Sequence, residues 1–135
     1  MGVLSDNPFT CIDDIINTLN VDIMILDFHA EATAEKIAMG YYVDGRITAM
    51  FGTHTHVQTA DEKILEKGTG YITDIGMTGP EKSVIGMDVQ ASLKRFVTSL
   101  PEKYKLAEGK CMLNGVVFDI DDKTSKVKKI YRISV

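Results

Sequence analysis

Tryptophan is absent from the 135 residues, and cysteine occurs only twice. Cys11 and Cys111 lie far apart with no CxxC or CxxH partner, which excludes a zinc ribbon and a disulfide framework; both are expected to be small buried hydrophobes. Long apolar runs are missing as well. The longest lies around Ile23–Leu26, far too short to span a bilayer. The N-terminus has neither the basic region nor the apolar stretch of a signal peptide, so a cytoplasmic location is expected. An excess of basic charge is also lacking: 15 Lys and Arg stand against 19 Asp and Glu, a net charge of −4. An extended nucleic-acid footprint needs clustered cations and is excluded; a small phosphorylated ligand is not, because metal ions can supply positive charge locally. Neither a P-loop, a GxGxxG, a GxSxG nor an HExxH motif is present, which argues against Walker-type nucleotide hydrolysis and a serine nucleophile elbow.

A hydrophobic content of 44% and a charged content of 25%, without low-complexity tracts, describe a globular chain with a core of its own. Thr10, with Asp13 three residues on, reads as the N-cap of a short helix over 11–19, whose apolar stripe is Ile12, Ile15, Ile16 and Leu19. Val21–Phe28 is rich in β-branched residues and reads as a buried central strand, parallel to its neighbours, ending at His29. Ala32–Val43 has helical composition and closes on Asp44-Gly45. Arg46–Phe51 reads as a second strand ending at Gly52. The stretch 52–70 reads as loop with a helical turn at 61–66, and Tyr71–Asp74 as a short strand. Asp88 can cap a helix through Leu100 that buries Val89, Leu93, Phe96 and Val97 and stops at Pro101. The tail alternates apolar and polar residues over 104–106, 112–120 and 126–134 about a turn at 121–125, an antiparallel meander. The expectation is one α/β domain over residues 1–135, with no strand ahead of the first helix.

The three histidines of the chain all sit where a strand gives way to a loop. His29 ends the first strand; His54 and His56 follow the second, in Gly52-Thr53-His54-Thr55-His56. Parallel strands bring their C-terminal ends to one sheet edge, where α/β proteins place their sites. If the two strands are neighbours, the imidazoles can converge. In extended backbone residues two apart point the same way, so His54 and His56 can present both rings to one place, with Gly52 allowing a tight turn. A single histidine after a strand is ordinarily a polar loop residue, and an HxH pair alone is a modest signal. Three at one edge, with none elsewhere, point to a transition-metal site suited to zinc, iron, manganese or nickel. Asp27, Glu31 and Asp74 are further candidates as ligands, or else as caps or orienting acceptors. Gly76–Pro80 could present N–H groups to an anion or be a plain turn.

The segment Gly52-Thr53-His54-Thr55-His56-Val57-Gln58-Thr59-Ala60-Asp61-Glu62 resembles the GHTH motif of calcineurin-like metallophosphoesterases, in the form of the bacterial YmdB-like family. Asp27–Thr33, Tyr71–Pro80 and Leu113–Val117 resemble that family too, so the likeness covers nearly the whole chain. It implies a sandwich of mixed sheets flanked by helices, with His29 and His54 ligating one metal ion and His56 a second. It also implies hydrolysis of phosphodiesters of the 2′,3′-cyclic nucleotide type, with two ions about 3.5–4 Å apart assisting in-line attack.

The chain departs from the family pattern in what it lacks. Before Asp22 there is no metal-ligating aspartate, no bridging acidic residue and no Asn-His pair, the histidine of which would protonate the leaving group. The resemblance therefore assigns the chain to the C-terminal half of a metallophosphoesterase domain, with no general acid of its own. Three neutral imidazoles without a bridging carboxylate would hold metal weakly, and a missing half-sheet would leave an apolar face or strand edge open to self-association. One reading is a phosphodiesterase completed by an N-terminal half, or by another chain in a homo-oligomer. A second is a non-catalytic metal-binding or structural remnant. In a third the histidines have no function. The roles of Glu31, Asp74 and Thr78 are left open.

Overall fold

Asn7 and Pro8, rather than Thr10, start the first helix, α1 (Pro8–Thr18). The structure is a computed structural model and describes residues 6–135; the expectation that no strand precedes α1 falls in part on residues 1–5, outside that range. Proline costs nothing in the first turn because it has no N–H to leave unpaired, and the Asn7 side chain accepts from the Phe9 N–H at 2.9 Å. Thr10 points its hydroxyl back to the Asn7 carbonyl instead, at 2.9 Å. Ile12 of the apolar stripe is buried and Ile16 packs on the core, while Ile15 and Leu19 are exposed.

The strands β1 (Ile25–His29), β2 (Ala49–Thr53), β3 (Lys63–Ile64) and β4 (Gly70–Ile72) form one sheet in the order β1-β2-β4-β3, with α2 (Thr33–Val43) crossing between β1 and β2. β1, β2 and β4 run parallel, and β3 is antiparallel to β4. β1 is thus parallel as expected, but it is an edge strand and not a buried central one. Only Leu26 and Phe28 turn inward; Ile25, Asp27 and His29 are exposed, as are Val21 and Ile23 before them. Among the described residues nothing pairs with its outer side. The expected helical turn at 61–66 is replaced by β3, because Asp61 gives both carboxylate oxygens to Thr73 and so holds its segment against the end of β4.

β5 (Thr78–Pro80), β6 (Cys111–Ile120) and β7 (Val127–Ser134) make a second, antiparallel sheet, the expected meander with a different first strand. Residues 104–106 add only a bridge from Leu106 to Met87. The β6–β7 turn is organised by Asp121, which accepts from the Lys123 and Thr124 N–H groups at 2.9 and 3.0 Å. The helices α1 and α2 cover one face of the parallel sheet around Met39, Val43, Ile47, Met50 and Tyr71. The second sheet reaches its other face at β4, where a Cβ on Gly70 would stand 2.8 Å from the Phe118 ring and 2.9 Å from Val127.

Two further burial expectations fail. In α3 (Val89–Thr98), which Asp88 caps by accepting from the Ala91 N–H at 2.9 Å, no residue is buried. Leu93, Phe96 and Val97 face solvent, since no element among the described residues lies across from them. Cys11 is half-buried and Cys111 exposed, both as free thiols; Cys111 lies opposite Pro80 at the open end of the β5–β6 ladder.

Gly52 does not serve a tight turn. It lies within β2, and a Cβ there would be 1.9 Å from the Thr73 carbonyl oxygen and 2.7 Å from Cδ of Lys36. Its missing side chain is the space that backbone and lysine stem occupy. Gly52→Ala is therefore expected to cost about 3 kcal/mol or more, since backbone on one side cannot yield. Gly79→Ala, which meets nothing nearer than the Met77 sulfur at 3.9 Å, should lie near wild type in the same chemical-denaturation series.

Candidate functional site

The parallel register that pairs His29 with Thr53 builds the first part of the site. Residues directly opposite in register share a face, so Thr53 reaches the ring of its neighbour: His29 Nδ1 and Thr53 Oγ1 are 3.0 Å apart. His54, the next residue, leaves the strand with φ 133°, and its Nδ1 comes to 3.2 Å from His29 Nε2. The rings meet edge to face with centroids 5.1 Å apart. If the threonine hydroxyl accepts from His29 Nδ1–H, then Nε2 carries the lone pair that faces His54, the arrangement by which a neighbouring oxygen fixes the tautomer of a ligating imidazole.

His56 points elsewhere. Its backbone is left-handed (φ 65°), and so is that of Ile85 (φ 49°), whose carbonyl lies 3.1 Å from His56 Nδ1. A carbonyl can only accept, so Nδ1 is the protonated nitrogen and Nε2 is free to bind. The expectation that extended backbone aims His54 and His56 at one place is thus corrected. The loop leaves the extended region at both histidines, which sends one ring to β1 and the other towards the second sheet. Non-glycine residues at such φ values are strained and persist only where their surroundings impose them.

What imposes them is a buried ion pair. Lys36 Nζ and Asp74 Oδ2 are 3.0 Å apart, both side chains fully withdrawn from solvent. Lys36 also reaches the Thr53 carbonyl at 3.3 Å. Asp74 accepts from the Thr55 N–H at 2.9 Å and from the Gly76 N–H at 2.9 Å. Its backbone exchanges bonds with Thr59, N–H to hydroxyl at 2.9 Å and carbonyl to N–H at 3.0 Å. The histidine loop is therefore held on both sides of His54 and again beyond His56. Gln58 ties it to the second sheet, donating its amide to the Gly115 and Ile133 carbonyls at 2.9 and 3.2 Å. Asp74 is an orienting acceptor. Burial pushes its carboxyl up, but the Thr55 and Gly76 N–H donors and the Lys36 ammonium outweigh that and hold it below the usual carboxylate range.

Sequence reasoning missed Lys36. The available signal is its place in the stripe Lys36, Met39, Gly40, Val43, which is the buried face of α2. The other acidic candidates do not join the imidazoles. Asp27 and Glu31 are exposed, Thr78 is an exposed residue of β5, and among the described residues no three His, Cys, Asp or Glu side chains form a metal-holding group. The donor set fits part of a metal site. Two imidazoles sharing a tetrahedral ion at bonds of about 2.0–2.1 Å would have their nitrogens about 3.3 Å apart, and His29 and His54 stand at 3.2 Å. His56 offers a single further nitrogen.

The family model of YmdB-like proteins matches residues 1–133. The chain belongs to the YmdB-like family. It is 54% identical over 132 residues to the 2′,3′-cyclic-nucleotide 2′-phosphodiesterase of Bacillus subtilis, a match covering 96% of this chain and 50% of that protein. Among solved structures, a protein of Thermus thermophilus shares its fold with a TM-score of 0.90 at 38% identity, covering 96% of this chain and 51% of that one. A structure described as a novel phosphatase from Mycoplasma pneumoniae gives a TM-score of 0.90 at 43% identity, over 96% and 46% respectively. The chain spans about half the length of the curated relatives it matches. The resemblance in Gly52–Glu62 thus identifies the family, and the α/β fold it implies is present as two sheets flanked by helices, the C-terminal one antiparallel.

The brace makes two measurable demands of this YmdB-like fold. Lys36→Met leaves a buried carboxylate without its cation and is expected to cost about 3 kcal/mol at pH 7. A carboxylate held below its unfolded value contributes stability that is fully present above that value, about 3.9, and is lost as pH falls through the folded one. In thermal melts across pH, the gap between wild type and Asp74→Asn should be wide at neutral pH and narrow steadily below about 4; a gap independent of pH would contradict the assignment.

Proposed function

We propose that this chain carries the histidine part of a metal-dependent phosphodiesterase acting on small phosphodiesters of the 2′,3′-cyclic nucleotide type. The observation that carries the reading is the contact between His29 Nε2 and His54 Nδ1 at 3.2 Å, with neighbouring oxygens set to orient the imidazoles. His29 and His54 would hold one ion and His56 another, from iron, zinc or manganese, all compatible with imidazole donors. When bound, such an ion supplies Lewis-acid charge to a phosphoryl oxygen. The chain's own residues do the positioning. Thr53 keeps the His29 ring against β2, the Ile85 carbonyl holds the His56 ring, and the Lys36–Asp74 pair fixes the loop between them. The exposed sheet edge admits a small ester, and a net charge of −4 offers no attraction to a long polyanion.

A bridging carboxylate, further ligands and a proton donor for the leaving group would come from outside these 135 residues, through a complementing half or a partner in a homo-oligomer. The name of the Bacillus subtilis relative supports the substrate class. A non-catalytic metal-binding remnant is the second reading, favoured by the absence of a three-ligand cluster among the described residues.

Elemental analysis of the purified chain tests the half-site. Iron, zinc or manganese is expected at substoichiometric content, to be lost in a His54→Ala/His56→Ala variant and retained in Cys111→Ala. Equal metal in all three would refute the assignment. Turnover of a 2′,3′-cyclic nucleotide by this chain alone should be slow; robust two-metal hydrolysis would overturn the reading of an incomplete site.

A further inference from the structure

Beside His56, between the histidine loop and the second sheet, lies a cleft of about 240 Å³ lined by Gln58, Met77, Glu81, Met112 and Asn114 among others. We propose that it binds a nucleobase bearing an exocyclic amino group: adenine, cytosine or guanine in preference to uracil. The inference rests on the reading that a cyclic nucleotide is held at the histidines, and it names the part of that substrate this chain would recognise.

The argument begins with the two amides. Gln58 Nε2 lies 2.9 Å from the Gly115 carbonyl and 3.2 Å from that of Ile133, and Asn114 Nδ2 lies 3.1 Å from the Met77 carbonyl and 3.9 Å from the Met112 sulfur. Carbonyl partners accept only, so the NH₂ end of each amide is fixed and spent. The oxygens, Gln58 Oε1 and Asn114 Oδ1, have no internal donor. They are not sealed away either, since neither belongs to the buried side-chain atoms that lack a hydrogen bond. Both are therefore acceptors that keep some exposure, on half-buried residues that line the cleft. The exposed Glu81 carboxylate adds another acceptor, paired only loosely with Lys110 at 3.5 Å.

No lysine or arginine lines this cleft. Glu81 repels a phosphoryl group, so the phosphate belongs at the end of the cleft that His56 lines. What suits the unpaired acceptors of these lining residues is a ligand that donates. The amino groups of adenine and cytosine donate, as does the amino edge of guanine; uracil offers one ring N–H between two carbonyls that would face like partners. Met77 and Met112 supply polarisable thioether surface of the kind that packs well against a planar ring. The volume lies below the usual range of about 300–1,000 Å³ for drug-sized ligands, which fits one base and not a dinucleotide.

The test uses the full chain labelled with ¹³C at its methionine methyls and titrated with adenosine, cytidine, uridine and inorganic phosphate. Nucleosides lack the phosphate, so binding does not depend on metal or on hydrolysis. Adenosine and cytidine should shift the Met77 and Met112 signals, assigned by Met→Leu variants, with affinity about tenfold above that of uridine, the worth of one good hydrogen bond. Inorganic phosphate should leave both signals in place. Glu81→Gln is expected to cut the preference about threefold, and Asn114→Leu to cut it further. Equal binding of the three nucleosides, shifts confined to other methionines, no shift with any nucleoside, or a preference unchanged in Glu81→Gln and Asn114→Leu would each overturn the proposal. A metal-free chain that still discriminates nucleosides would separate this inference from failure of the half-site.

Discussion

A lysine ammonium and an aspartate carboxylate, 3.0 Å apart and both withdrawn from water, are what the candidate site stands on. Burying either ion alone would cost several kcal/mol, and their mutual attraction offsets that only if every remaining donor and acceptor is used. Here they nearly all are. Lys36 spends a second proton on the Thr53 carbonyl, and Asp74 takes the N–H groups of Thr55 and Gly76. The partners that satisfy the pair are the backbone groups flanking His54 and those leading out of β4. Electrostatic necessity and positioning of the loop are thus one arrangement.

That arrangement also accounts for the backbone at the histidines. A loop free to relax would not keep His54 at φ 133° and His56 at φ 65°, since non-glycine residues cost of order 1–3 kcal/mol in such regions. The loop is anchored at Thr53, Thr55 and Thr59 on the parallel sheet and at Gln58 on the antiparallel one, leaving the intervening residues little choice. Ile85, itself left-handed at φ 49°, meets His56 from the opposite side. Strain has collected on the three residues that orient the imidazoles and hardly elsewhere; the other non-glycine cases, Ser99 and Ser125, lie at a helix end and a hairpin turn.

How far this was legible in the sequence differs by kind of residue. The parallel pair β1–β2, the crossover helix and the C-terminal hairpin follow from local pattern, and the histidine positions follow from strand ends. Edge status does not, because β1 has the composition of a strand with neighbours on both sides, whereas among the described residues only β2 pairs with it. The same holds for α3: Leu93, Phe96 and Val97 form an apolar face by spacing, yet what would cover them is not specified by the helix itself. Lys36 was hidden for the opposite reason. A lysine in a helix reads as solvated, and only the removal of the Gly52 side chain opens the channel that lets its stem run inward to Asp74. Gly52 was noticed but for the wrong cause, since a glycine beside HxH suggests a turn and not a passage.

The exposed edge and the histidine cluster lie side by side. His29 projects from the face of β1 that carries Ile25 and Asp27, beside the outer edge where no strand among the described residues pairs. An element that paired with that edge would cover apolar surface and bring its own side chains alongside His29 and His54, because the register placing His29 beside Thr53 would place a third strand end at the same edge. Fold completion and site completion would then be coupled, and any contribution of metal to binding would count towards stability of the assembled form. In this chain the two imidazoles are positioned in advance by forces internal to it. The brace runs from α2 through the space left at Gly52 to Asp74, so both of its ions and their partners lie within the described residues.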